Sequence, residues 1–566
     1  MSKRLRRLGA GFEEGEPMKT FTPFASVSLL ALTLSACGGE DPAVPNDPNS
    51  ETTPADNASE STPNSDTTNS PKQPRQPLDG VPGRDTLLEP GVFDGANEDE
   101  DEDEEPGFTL SWRDCGLAGT RQIQCAELQV PLDYAQPDGE QILIALNRAL
   151  PPAGVESRAS LLINPGGPGG SGKEVARQIA SAGAFDNAAP GFDLIGFDPR
   201  GIGDSSGLEC EFVDDYFRGE TGEEAPNDAM MQAISRYGLE GVIEDLGWLS
   251  EQCRDYWGGL FDHMGSNQVV QDIERIRQAL GEEKLNFLGI SYGTRLGALY
   301  AQEYPDRTRA IVLDAPMHPE TSIVDQVQGQ FDSLLVMHET FFAACESGAV
   351  TCPADPRAVF DAMLVSAEAV GLRGFMLQAW ELGLAYSFAG PGYLAFMLES
   401  QATQANSDWM YEALAFAGLP SNDVSGYVQN MNVNCADNAA PFLSIEEADL
   451  RLDDALLRSD VFGPDLSPIV HCNGWAVTPD PVAPLTAPDA PPILVIGGTR
   501  DHRTAPEWAP AMAASLVSGV LLSSEHWGHG VVGNSPCVDA AVRAYLLDLT
   551  LPAEGTVCAD PAAPIE

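Results

Sequence analysis

The stretch Gly289-Ile290-Ser291-Tyr292-Gly293 places a serine between two glycines. It follows an apolar run, Lys284-Leu-Asn-Phe-Leu-Gly289, and precedes Thr294–Glu303, which reads as helix. A strand–turn–helix passage of this kind lifts the serine onto a turn so tight that its neighbours must be small. The simpler reading is a turn with a capping serine. A serine hydroxyl is a poor nucleophile at neutral pH and needs a base, itself oriented by a third group. Two later segments carry those residue types. Gly497-Gly-Thr-Arg-Asp501 follows the apolar run 492–497, and Glu525-His526-Trp527-Gly528-His529-Gly530 follows the run 517–523. An acid after one strand and a histidine after the next meet an elbow serine at the carboxyl ends of a parallel sheet. Asp501 is the expected acid, although its position before Ala505 also suits a helix cap. Asp314, ending the strand after the elbow, is the spare candidate. His529, between glycines, is the expected base, and His526 and His502 are read as surface or supporting residues.

The glycine-rich run Asn164-Pro-Gly-Gly-Pro-Gly-Gly-Ser-Gly172 supplies the remaining chemistry. Glycines let backbone N–H groups approach a substrate closely. An oxyanion hole needs two such donors, and they are assigned to Tyr292 and Gly167, with Gly166 as the alternative. The run contains neither G-K-[ST] nor G-x-G-x-x-G, so it does not read as a phosphate cradle. These groups together describe acyl transfer through a covalent serine intermediate. That chemistry calls for no cofactor. No CxxC or CxxH spacing suggests a zinc site, so no metal is expected.

The elements that must hold these residues alternate along the chain. Ile142–Leu146, Ser160–Asn164, Phe192–Phe197, Lys284–Gly289 and Ala310–Asp314 read as strands. Ser266 to Gly281 reads as a helix capped by Ser266 or Asn267, with Val269, Val270, Ile273, Ile276 and Leu280 on one stripe. From about 316 to 485 strands are scarce, and 325–345, 357–370 and 394–416 look helical. Strands return at 492–497 and 517–523. The fold class is α/β: a mainly parallel sheet flanked by helices, interrupted by a mostly helical insertion.

Composition bounds the rest. The chain has 566 residues and a formal net charge of −54, which argues against nucleic-acid binding and electrostatic docking on anionic lipid. From Met18, MKTFTPFASVSLLALTLSAC has a basic start, an apolar stretch and Leu34-Ser35-Ala36-Cys37. It resembles a bacterial lipoprotein signal with Cys37 as the lipidated residue, the true start being Met1 or Met18. Residues 38–106, rich in Pro, Ser, Thr, Asn and acid, read as a disordered spacer. Beyond Cys37 ten cysteines remain, and export suggests five disulfides. Many connectivities are possible. The simplest pairs neighbours: Cys115–Cys125, Cys210–Cys253, Cys345–Cys352, Cys435–Cys472 and Cys537–Cys558.

NPGGPGGSG, FDPRGIGDSS, GISYGTRLGALYAQEYPDR and IVLDAP together resemble the secreted tripeptidyl-aminopeptidase and proline-iminopeptidase-like serine hydrolases. The stretch from ILVIGGTRDHRTAPEWA onward resembles the TAP-like C-terminal region of that family. The resemblance implies an α/β-hydrolase fold with Ser291 as nucleophile, Asp501 as acid and His529 as base. His502 and Arg503 depart from the family's usual Asp-Pro-Val-Thr-Pro. The resemblance also implies peptide substrates with a free N-terminus and a cap that excludes internal peptide bonds. A cap carboxylate would receive the substrate's α-ammonium, with Asp437 and Glu399 as candidates. The expected domains are a signal at 1–37, a tether at 38–106, core at 107–315, cap at 316–485 and core at 486–566. Contact with a membrane is expected through the lipid alone, and no oligomeric state is indicated. The expected function is an exported aminopeptidase. An esterase or lipase with the same triad is the alternative, and a non-catalytic surface binding protein is more remote.

Overall fold

The computed structural model describes residues 110–559, except 211–212, 214–215, 218–225, 321, 386–389, 405, 418–424 and 439–442. The expected signal, Cys37 and the tether lie outside the described residues.

The elements run β1 (Arg113–Ala118), β2 (Arg121–Pro131), β3 (Gln141–Ala149), β4 (Ala159–Asn164), α1 (Gly172–Ala182) and β5 (Phe192–Phe197). Next come α2 (Pro226–Trp257), α3 (Ser266–Ala279), β6 (Leu285–Ile290), α4 (Gly293–Glu303) and β7 (Thr308–Asp314). A helical insertion follows: α5 (Ile323–Ser347), α6 (Pro356–Glu368), α7 (Arg373–Ala385), α8 (Gly390–Thr403), α9 (Asp408–Phe416), α10 (Ser425–Asp437) and α11 (Ile445–Arg458). The chain then returns with β8 (Ile493–Arg500), α12 (Trp508–Ser515), β9 (Gly519–Trp527), α13 (Pro536–Asp548) and β10 (Val557–Cys558).

The strands form one sheet in the order β1-β2-β3-β5-β4-β6-β7-β8-β9-β10. The β1/β2, β2/β3 and β3/β5 pairs are antiparallel and the rest are parallel. The central parallel strands are mainly apolar because both faces are covered. Leu162, Phe287 and Ile311 belong to the core on one face, while their neighbours Leu161, Leu288 and Val312 belong to the core on the other. Every residue of β5 and of β6 is buried. Parallel order brings the carboxyl ends of β4, β6, β7, β8 and β9 to one edge, where ligands of such sheets bind.

Several elements depart from the sequence reading. The β1–β2 hairpin, although Ala126, Leu128 and Val130 alternate with polar residues, and the long α2, kinked at Gly238, are not among the expected elements. The expected helix 394–416 is two helices, α8 and α9. Ser266 is the first residue of α3 rather than its cap, which is Gly265. Five disulfides join Cys115–Cys125, Cys210–Cys253, Cys345–Cys352, Cys435–Cys472 and Cys537–Cys558, with Cα separations of 5.2 to 5.8 Å. Among the described residues no helix is long and apolar enough to cross a membrane.

Candidate active site

Ser291 stands on the turn between β6 and α4 with φ at 58°, a left-handed conformation that a non-glycine residue holds only under constraint. The constraint is steric and hydrogen-bonded. A Cβ on Gly293 would approach the Asn164 carbonyl to 2.5 Å, and one on Gly166 would approach Tyr292 N to 2.8 Å. The elbow therefore nests against the glycine-rich loop, and both glycines are required by that contact. Ser291 N–H donates to the Asp314 carbonyl (3.0 Å). Ser291 is partly exposed while Tyr292, Gly293 and Thr294 are buried.

Asp501 lies just past β8, and its two oxygens have separate duties. Oδ1 accepts N–H from Arg503 (2.8 Å) and Thr504 (3.1 Å), which closes the turn before Ala505. Oδ2 accepts from Thr504 Oγ1 (2.8 Å) and from His529 Nδ1 (2.8 Å). The helix that follows begins only at Trp508, with Glu507 as its cap, so Asp501 closes a turn rather than capping a helix while it holds His529. With Nδ1–H donated to Asp501, the lone pair of His529 resides on Nε2. His526 lies within β9, before the loop that carries His529.

Asp314 binds the histidine loop to the elbow. Its carboxylate accepts N–H from Val531 (2.8 Å) and Val532 (2.8 Å), while its carbonyl accepts from Ser291. It is fully buried. Burial pushes its carboxyl up to about 6, against the two backbone donors and the nearby His529, which lower it. The spare acid of the sequence reading is therefore a brace between the elbow and the loop that carries His529.

In the glycine-rich loop, Gly166 N–H donates to Asn164 Oδ1 (3.0 Å), so it is unavailable to an oxyanion. Gly167 remains as the loop's candidate, with φ at 110°. Asp198 holds the loop's far end. It accepts from Ser171 Oγ (2.6 Å), and Ser171 in turn caps α1.

The insertion reaches this edge at several points. The Ala385 carbonyl, ending α7, accepts the backbone N–H of His529. Glu381, one turn earlier, lies 3.8 Å from Arg503 Nη2. Gln330 on α5 donates to the Arg503 carbonyl (2.8 Å). Sequence reasoning missed Glu381, since one acid in a mainly apolar helix of a strongly acidic chain carries no distinguishing signal. His502 is buried rather than superficial, and burial drives its imidazole well below the usual histidine range.

Neither carboxylate expected to receive an α-ammonium is presented to the site. The Asp437 side chain is wholly buried, accepting from Ser266 N–H (2.7 Å), Ser266 Oγ (2.6 Å) and Arg295 Nη1 (3.2 Å). Glu399 is on the exposed side of α8. Among the described residues no group of three or more metal-ligating side chains is assembled.

Residues 159–533 match the family described as alpha/beta hydrolase fold. The serine protease Hip1 of Mycobacterium tuberculosis is 31% identical over 502 residues, covering 80% of this chain and 91% of that protein. Tripeptidyl aminopeptidase of Streptomyces coelicolor is 28% identical over 490 residues, 80% of this chain and 87% of its own. Carboxylesterase B of Mycobacterium tuberculosis is 28% identical over 511 residues, 82% and 94%. A solved proline iminopeptidase from Mycobacterium smegmatis aligns with 75% of this chain and 98% of its own at a TM-score of 0.35 and 15% identity. The chain belongs to the alpha/beta hydrolase fold family and is a serine hydrolase.

Proposed function

We propose that the protein is an exported aminopeptidase working through an acyl-enzyme on Ser291. The observation that carries this reading is the Asp501–His529 couple, bonded at 2.8 Å and overhung by the end of α7. In the proposed cycle, His529 Nε2 takes the Ser291 proton as Oγ attacks the scissile carbonyl. Asp501 holds the imidazole and stabilises the imidazolium. The N–H groups of Gly167 and Tyr292 receive the oxyanion. The amine leaves with the proton from Nε2, and water, activated by the same nitrogen, releases the acyl group. The insertion, 316–485, acts as a cap that admits chain ends and excludes internal segments. With Asp437 and Glu399 turned away, Glu381 is the candidate for binding the α-ammonium. Cys37 is the proposed lipid anchor and 38–106 the tether. The names of two relatives, a tripeptidyl aminopeptidase and a protease, support peptide substrates.

The test is a panel of aminoacyl and tripeptidyl amides against acyl esters, each with free and acetylated amine. An aminopeptidase loses cleavage on acetylation, and Glu381→Gln raises KM for the free amine selectively. The carboxylesterase relative keeps an esterase reading in play. That reading wins if esters are cleaved and amides are not.

A further inference from the structure

Helix α10 of the insertion touches the catalytic edge twice. Asn430 and Asp437 are seven residues apart, two turns, so both project from one side of the helix. Asn430 Nδ2 donates to the Pro168 carbonyl (3.0 Å), the residue directly after Gly167. Its Oδ1 accepts from Asn434 Nδ2 (2.8 Å), which keeps the amide's donor end toward the loop. The approach is close: a Cβ on Gly169 would come within 3.1 Å of the Gly426 carbonyl. At the helix end, Asp437 accepts both the N–H and the hydroxyl of Ser266. Ser266 Oγ lies 2.6 Å from Tyr292 Oη. Because the Ser266 hydroxyl hydrogen goes to Asp437, its lone pair receives the Tyr292 O–H. Tyr292 is the residue after the nucleophile. This network also explains why Ser266 does not cap α3.

We propose that α10 sets the oxyanion hole, Asn430 positioning the Gly167 donor and Asp437, through Ser266, positioning the Tyr292 donor. The inference rests on the hole assigned under Proposed function. Its physical basis is that Gly166, Gly167 and Gly169 all have positive φ. Such a loop has little conformational preference of its own and must be held from outside. Asn164 holds one side of it, and Asn430 holds the other. Asp437 is retained as a buried carboxylate, despite desolvation that raises its pKa, because Arg295 and Ser266 bind its charged form. Both are positioning residues, since neither touches substrate. The insertion is then part of the catalytic apparatus as well as a barrier.

Three mild variants of the full chain test this. Asn430→Asp keeps shape and the bond from Asn434 but loses the donor to Pro168. Ser266→Ala and Tyr292→Phe each remove one hydroxyl from the second link. In each, kcat should fall about 10- to 100-fold, as expected for misplaced donors, with KM within about twofold by the same reasoning. The rate of Ser291 labelling by a fluorophosphonate, whose P=O enters the same hole, should fall in step. Unchanged kcat and labelling rate in the folded variants, with only thermal stability altered, would overturn the inference. Should Asn430→Asp not fold, Tyr292→Phe decides the matter for the second link, and Asn430→Ala for the first. If Ser291→Ala retains turnover, the proposed function itself fails. If Ser291→Ala is dead and these variants are normal, only the role of α10 fails.

Discussion

Exchanging Asp501 for asparagine isolates the orienting role of one oxygen. The side chain keeps its shape. Oδ1 is tied by the Arg503 and Thr504 backbone donors at 2.8 and 3.1 Å, so the amide oxygen must take that place. The amide NH2 then faces His529 Nδ1, 2.8 Å away in the native chain. It cannot accept from Nδ1–H. The imidazole responds by carrying its proton on Nε2, the atom that should receive the serine proton. Loss of the base in this way lowers kcat roughly 10⁴-fold in a serine triad, about 5.5 kcal/mol at 1.36 kcal/mol per decade. KM and the unfolding midpoint should hardly move, because the turn closed by the Arg503 and Thr504 donors survives. Steady-state kinetics on a cleaved amide, alongside thermal unfolding, gives both readouts. Activity within tenfold of the native enzyme, at an unchanged midpoint, would refute the reasoning and shift the orienting role to Asp314.

Asp314→Asn should change how stability depends on pH. The folded carboxyl is raised to about 6, so between about 4 and 6 the native protein holds a proton that the unfolded chain releases. Stability from this group is full below the unfolded value and declines as pH rises through 6. The asparagine variant should lack that decline, worth about 2–3 kcal/mol, in urea unfolding measured across that range. His529→Ala should lose nearly all turnover, whereas His526→Ala, altered within β9, should keep most of it; the reverse pattern in kcat would reassign the base. Replacing Cys435 and Cys472 by alanine opens a link between residues 37 apart. It should cost about 4 kcal/mol on the chain-entropy account, read as a shift in the urea midpoint.

What could be read from residues alone was whatever local physics enforces. The elbow was legible because G-x-S-x-G sits between a mainly apolar strand and a helix, and few conformations satisfy that spacing. Asp501 and His529 were legible because each closes an apolar run, and a parallel sheet brings the ends of such runs together. Cys115–Cys125 and Cys345–Cys352 close loops of 10 and 7 residues, whereas Cys210–Cys253 and Cys435–Cys472 span 43 and 37 and pair through packing that no local signal gives. What escaped notice depended on contacts between distant segments. Asp437 is acidic and beside a disulfide, which suggested an exposed anchor; only the packing of α10 on α3 shows that Ser266 and Arg295 enclose it. His502 read as either a surface or a supporting residue, and only the folded chain shows it 2% exposed. Glu381 had nothing to set it apart until α7 was placed over His529. Helix α2, kinked at Gly238, has no sustained apolar stripe, so periodicity could not find it.

Val312 pairs directly with Leu494 across β7 and β8, although roughly 180 residues separate them and closing such a loop costs only logarithmically more than closing a short one. The sheet therefore tolerates an excursion of almost any length at this point. The sequence of events during chain release is less indulgent. Ser291 and the oxyanion loop emerge first, then every insertion helix, and only afterwards the strands bearing Asp501 and His529. On the proposed triad, a growing chain carries Ser291 without His529 until the last tenth of its length is being made. Hydrolysis by that triad waits until the polypeptide is nearly whole, because the connectivity places the last strands at the end of the chain.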